Sequence, residues 1–290
     1  MNSRLACAVA LALSLSAPAF ADKAEKPAKT AAVSVSNPFF AKSPLTFQYP
    51  QFDKIKDSDF APAFEKGMAE QLAEVAAIAD NKQAPNFDNT IVALEKSGQL
   101  LNRVAAVFFN LTGCNTNDAL EKVQAEMAPK LSAHQDAIAL NGKLFARVQS
   151  LYDQRDKLGL DAEGQRLLWR YYTDFVRAGA KLNDADKAKL KDLNAQLASL
   201  QTEFSQKLLK ETNASAVVVD KKDDLKGLSD DAITAAAEAA KAKKLDGKYL
   251  LALQNTSGQP PLASLENRAL REKLMHASLD RGSHGGEFDN

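Results

Sequence analysis

The sequence predicts a mainly α-helical domain of several helices, with long antiparallel helices and one small two-stranded element. Apolar residues recur at steps of three and four through most of the chain, which is the period of one helix face. Only two short segments, Ala216–Asp220 and Tyr249–Gln254, carry the apolar or β-branched runs typical of strands. No repeat at solenoid spacing is present.

The first three predicted helices are Asp59–Ala79, Thr90–Leu111 and Asp118–Leu140. Ser58 or Asp59 is a suitable N-cap for the first, and Asp80-Asn81 ends its periodic pattern. On the second we expect one inward face, made of Ile91, Leu94, Leu101, Val104 and Phe108.

Two shorter helices are predicted at Lys143–Arg155 and Glu163–Arg177. The second contains four aromatic residues, Trp169, Tyr171, Tyr172 and Phe175. They could form a ligand-stacking surface. We favour a core role, because aromatic side chains at helical spacing usually hide their large apolar area.

The longest predicted helix is Asn183–Thr212. It carries a leucine-rich seam with coiled-coil-like spacing, made of Leu190, Leu193, Leu197, Leu200, Phe204 and Leu208. The seam could pair two chains as a coiled-coil dimer. We favour antiparallel pairing with the preceding helix through the turn at Gly179–Asp184, because this packing needs no partner chain.

Beyond the seam, we expect the two strand segments to pair as a small sheet. An alanine-rich helix, Ser229–Lys244, lies between them in sequence, with Ser229 as its N-cap. A last helix is predicted at Ala263–Leu279, and Gly282 follows it.

The beginning of the chain has the pattern of a signal peptide, residues 1–21. A basic start at Arg4 precedes an apolar run, and Ala19-Phe20-Ala21 matches a small-x-small cleavage site. The apolar run is shorter than the roughly 20 residues that span a bilayer. Residues 22–36 are polar and poor in bulky apolar side chains, so they predict a disordered tether. The expected location is the periplasm or another exported compartment.

Composition excludes some partners. The chain has 37 Lys and Arg against 37 Asp and Glu, so its formal net charge is zero. This balance argues against nucleic acid or an anionic membrane as a main partner. After the predicted cleavage only Cys114 remains, which cannot form an internal disulfide. We expect it to be a buried or half-buried apolar side chain.

Residues able to bind a metal or act as a nucleophile are scattered. His134 and Asp136 are two positions apart and diverge on a helix. His276 and Asp280 share a helix face, but one histidine and one carboxylate are too few for a metal site. His284 lies in a glycine-rich stretch, and no His-Glu-x-x-His or nucleophile motif is present. The sequence therefore predicts no catalytic, cofactor-binding or metal-binding residues in this chain.

Several segments, in order, resemble the N-terminal half of the thimet oligopeptidase family of zinc metallopeptidases. The segment at 85–104, which runs from Pro-Asn-Phe-Asp-Asn-Thr into a helix, matches most specifically. The other matching segments are 37–40, 49–55, 60–68, 225–229, 248–254, 267–273, 281–282 and 289–290. The exported start favours the peptidyl-dipeptidase branch of this family.

The resemblance implies that residues 37–290 are the N-terminal helical region of such an enzyme and form part of one wall of a peptide channel. In the family, zinc activates the water that cleaves dipeptides from the C-termini of short peptides. The zinc motif lies downstream of the matched segments, so we expect the catalytic half to be absent and this chain alone to bind no zinc and be inactive. The alternative is a non-catalytic helical peptide-binding or scaffold protein. The sequence leaves the oligomeric state open.

Overall fold

The computed structural model describes residues 37–253, 259–283 and 285–290. The predicted signal peptide, the predicted tether, Gln254 and His284 lie outside these ranges. The helices are α1 Asp57–Ala79, α2 Ala93–Glu95, α3 Gln99–Cys114, α4 Asp118–Ala139, α5 Gly142–Asp153, α6 Ala162–Arg177, α7 Asp184–Ala214, α8 Asp230–Ala242, α9 Pro261–Ser264 and α10 Arg268–Leu279. The strands are β1 Val217–Val219 and β2 Tyr249–Leu251. The mainly α fold class with a small two-stranded element is confirmed.

Helix α1 begins two residues before its predicted start. Lys56 occupies the N-cap position, and its backbone N–H donates to the carboxylate of Asp59 at 2.8 Å. Asp59 was a candidate for the N-cap position, but it lies inside the first turn, and its side chain caps the helix from there. The predicted end at Asp80 is confirmed.

The first apolar cluster joins α1, α3 and α4. Phe60 and Phe64 of α1 meet Phe108 of α3 edge to face, with ring centroids 5.1 and 5.2 Å apart. Gly67 lets the two helices approach closely, because a Cβ at this position would lie 2.8 Å from the backbone nitrogen of Leu101. All five inward residues predicted for the second helix are buried.

The prediction of one continuous helix over Thr90–Leu111 is wrong. A π-helix, Asp88–Val92, leads into α2, and the chain breaks at Gly98 before α3 begins. Gly98 has φ +70°, a left-handed conformation that glycine adopts without steric cost. Its N–H donates to the carboxylate of Glu74 at 2.7 Å, which holds the break against α1.

The second apolar cluster joins α5, α6 and the π-helix, and it includes Leu144, Leu151 and Leu168. A buried arginine on α5 binds the loop that precedes the π-helix. Arg147 donates to three oxygen atoms, the carbonyls of Asn81 and Gln83 and the side chain of Asn89, at 3.0, 3.1 and 2.8 Å. These bonds fix the loop before the π-helix against α5.

The C-terminal part contains the predicted sheet. Strands β1 and β2 pair antiparallel with Val218 opposite Leu250, so the expected pairing is confirmed. The predicted helix Ala263–Leu279 is divided into α9 and α10. Asn267 causes this division, because its side chain accepts from the Leu270 N–H at 3.1 Å and so starts α10.

Among the described residues, we find no helix that combines the length and apolar character required to cross a membrane.

Candidate functional site

The leucine-rich seam does not pack on α6, so the predicted antiparallel pairing of α6 with α7 is wrong. Helix α7 lies instead against α4. Four seam residues face outward, with exposed fractions of 60%, 52%, 61% and 52% for Leu193, Leu197, Leu200 and Phe204. We name these four residues the exposed stripe. Its spacing of four, three and four residues places it along one side of α7.

Polar contacts decide which side of α7 faces α4. The Asn194 amide donates to Oδ1 of Asp136 at 2.8 Å, and the Gln206 amide donates to the carbonyl of Glu121 at 2.8 Å. Lys210 lies 3.5 Å from the Glu121 carboxylate. Asp136 is buried, and its second oxygen Oδ2 has no hydrogen-bond partner. Because a buried carboxylate is costly without a donor, Asn194 holds this face of α7 inward.

His134 is a core residue on α4. Its Nε2 lies 2.7 Å from Oε1 of Gln71, and Nδ1 is buried with no partner. As a bond to the amide oxygen of Gln71, this contact requires a proton on Nε2. Burial lowers the pKa of His134, since a charge on this ring would lose its solvation. As predicted, His134 and Asp136 do not converge, because they contact different helices.

His276 and Asp280 of α10 lie on one face, as the spacing predicts. Nδ1 of His276 is 4.0 Å from the carboxylate of Asp280, and both side chains are exposed. In residues 37–253, 259–283 and 285–290, no three His, Cys, Asp or Glu side chains lie close enough together to hold a metal ion. The described residues therefore do not fit the zinc that the resemblance implies for the complete enzyme.

The expectation that Cys114 is buried or half-buried is wrong. It ends α3 with an exposed thiol that contacts the Asn110 carbonyl at 3.0 Å. The residue lines a groove of about 660 Å³ between the ends of α3 and α7, together with Thr212 and Arg281. The sequence could not place Cys114 in this groove, because the contact joins segments far apart in the chain.

The aromatic residues of α6 divide between core and surface. Phe175 is buried, and Tyr172 stacks on Tyr152 with ring centroids 3.8 Å apart. Tyr171 donates to the carboxylate of Glu95 at 2.6 Å; burial and this hydrogen bond raise the pKa of Tyr171. Trp169 is exposed beneath the guanidinium of Arg166, so the core interpretation is wrong for this residue.

Sequence reasoning missed a second apolar surface in the loop before α1. Phe47 is 99% exposed, and Leu45, Tyr49 and Phe52 are also exposed. Phe47 and Gln48 both have a left-handed backbone, with φ of 55° and 56°. The aromatic content and flanking prolines of this stretch are visible in the sequence, but its exposure is not. Together with the exposed stripe, this loop gives the described residues two exposed apolar surfaces.

No family model matches the chain. The chain has relatives among curated proteins. The chain is 46% identical over 257 residues to the dipeptidyl carboxypeptidase of Escherichia coli and 43% identical over 254 residues to that of Salmonella typhimurium. These matches cover 89% and 88% of the chain but only 38% and 37% of the relatives. Oligopeptidase A of Salmonella typhimurium is 24% identical over 249 residues, which are 84% of the chain and 36% of that relative.

These relatives are peptidases of the thimet oligopeptidase family, so the resemblance recognised from sequence is confirmed. Within that family the identity is markedly higher to the bacterial dipeptidyl carboxypeptidases than to oligopeptidase A. The chain spans less than two fifths of the length of these curated relatives.

Proposed function

We propose that the chain is the N-terminal, non-catalytic part of an exported zinc-dependent peptidyl-dipeptidase that removes dipeptides from the C-termini of short peptides. Its helices, residues 37–290, would form part of one wall of the peptide channel. The observation that carries this proposal is the 46% identity to the E. coli dipeptidyl carboxypeptidase over 257 residues. Among the described residues, no group of side chains suited to a metal ion is found. The zinc ligands would therefore lie elsewhere in the enzyme.

A chimera tests this function. The 257 matched residues replace their counterpart in the E. coli dipeptidyl carboxypeptidase, and product analysis follows the cleavage of short blocked peptides. We expect zinc-dependent release of C-terminal dipeptides. A folded, zinc-loaded chimera that cleaves no peptide, or cleaves at other positions, would contradict the proposal.

The chain alone tests the alternative, a helical peptide-binding or scaffold protein. We expect the purified chain to retain no stoichiometric zinc after dialysis and to hydrolyse no peptide. One equivalent of zinc, with activity lost on chelation, would show that catalytic residues were overlooked. Tight peptide binding by the chain alone, combined with an inactive chimera, would favour the alternative.

Export is proposed from the pattern of residues 1–21, followed by a tether at 22–36. Fusion of residues 1–36 to a reporter enzyme that is active only in the periplasm should give activity. The matched control carries residues 22–36 alone. Equal activity with and without residues 1–21 would contradict the proposed location.

A further inference from the structure

The exposed stripe has no covering element among the described residues. Its four side chains extend over twelve positions of α7, and the first and last are about 16 Å apart along the helix axis at 1.5 Å per residue. Each of them leaves more than half of its surface exposed. A continuous row of large apolar side chains on a rigid helix is typical of a surface that another protein segment covers.

The charges beside the exposed stripe favour an apolar partner. Lys189 lies 3.5 Å from Asp186, and Lys207 lies 2.9 Å from Glu203. These neighbouring charges compensate each other within α7. The stripe is therefore bordered by neither a basic nor an acidic field that would select a nucleic acid or a strongly charged peptide.

The end of the described chain lies next to the exposed stripe. Asn290 donates from its side chain to the Phe204 carbonyl at 3.3 Å, and its backbone N–H donates to the Gly282 carbonyl at 3.0 Å. Lys207 donates to the Asp289 carbonyl at 3.4 Å. Polypeptide that follows this position in a longer protein would begin beside Phe204.

We infer that the exposed stripe is the docking surface for the zinc-bearing part of the peptidase, occupied by an amphipathic helix of that part. This inference rests on the proposed function. We identify the occupant from the length of the relatives: more than three fifths of each dipeptidyl carboxypeptidase lies outside the match, and this remaining part is large enough to contain the covering helix. In a longer continuous chain, the residues after Asn290 would begin beside the exposed stripe and could reach it over a short distance. Side chains with coiled-coil spacing suit a partner helix.

The test uses the full chain and, as probe, the part of the E. coli dipeptidyl carboxypeptidase outside the match. Calorimetry measures their binding. The double variant Leu197→Glu, Leu200→Glu places charges in the apolar contact and should weaken binding about tenfold or more. The matched control is Leu279→Glu on α10, which is also exposed and lies off the stripe. It should change the affinity by less than about twofold.

Three results would overturn the docking surface: equal affinity of the double variant and the wild type, no binding at all, or self-association of the chain through the stripe without binding of the E. coli part. If that part does not fold alone, the chimera is measured instead. There the double variant should lower the unfolding midpoint more than Leu279→Glu does, and equal midpoints would refute the inference. Peptide cleavage by the unmodified chimera tests the proposed function separately. If that chimera is active and the stripe variants leave its unfolding midpoint unchanged, the docking surface is refuted and the proposed function is not.

Discussion

Replacement of Leu197 by alanine tests which side of α7 faces the rest of the chain. Full burial of a leucine side chain contributes about 1.5–3 kcal/mol. Leu197 is 52% exposed, so it hides about half of its surface, and its truncation leaves no closed cavity. The expected loss in the free energy of unfolding is therefore below about 1.5 kcal/mol. Packing of the seam inside one chain, as predicted from sequence, would instead give a loss of roughly 2–5 kcal/mol.

Leu168→Ala is the matched control, because Leu168 lies on α6, the helix that precedes α7 in sequence, and is fully buried. Its truncation should cost about 2–5 kcal/mol. Urea unfolding of both variants, followed by circular dichroism, gives the two values. A dilution series adds a check, since a coiled-coil dimer would unfold at a midpoint that rises with concentration. A loss at Leu197 as large as that at Leu168 would refute the orientation of α7.

Gly67→Ala should destabilise the chain by about 1–3 kcal/mol, because the new Cβ meets the Leu101 backbone; unchanged urea stability would contradict the close approach of α1 and α3. Asn194→Ala should cost about 1–3 kcal/mol, because it removes the donor to the buried Asp136 carboxylate. Asn183→Ala, a change at the α7 N-cap, is its comparison and should cost about 1 kcal/mol without an effect on Asp136. Stability should also fall as the pH drops below about 6.5, because the unfolded chain binds a proton that buried His134 resists. His134→Gln should reduce this slope, and an unchanged slope between pH 7 and 5 would assign the effect to other groups.

The sequence contained enough information for the positions of most helices and for the inward faces of α1 and α3. Phe60 and Phe64 follow the helical spacing of α1, and Phe108 follows that of α3; all three are buried. Short-range capping was also readable, as at Ser229, whose side chain accepts from the Ala232 N–H. Such signals depend on residues within one or two turns of each other.

The breaks within helices were not readable. Gly98 interrupts a periodic apolar pattern, and its left-handed backbone is held by Glu74, 24 positions away. Asn267 was equally compatible with a helix interior until its side chain was found to cap α10. In both cases the local pattern allowed continuation, and a tertiary or capping contact stopped it.

The candidate site shows the same division. Sequence alone determined that this is a mainly helical chain and that α7 carries an apolar seam. Only the tertiary structure decided that the four central residues of the seam face outward, whereas Leu190 and Leu208 at its ends are half-buried. Periodicity states that a helix has an apolar side but does not name the surface that covers it, whereas hydrogen bonds from Asn194 and Gln206 to α4 select the polar side for the interior. These bonds satisfy groups that α4 presents to α7, including the buried Asp136 carboxylate, and a carboxylate buried without a donor would be costly.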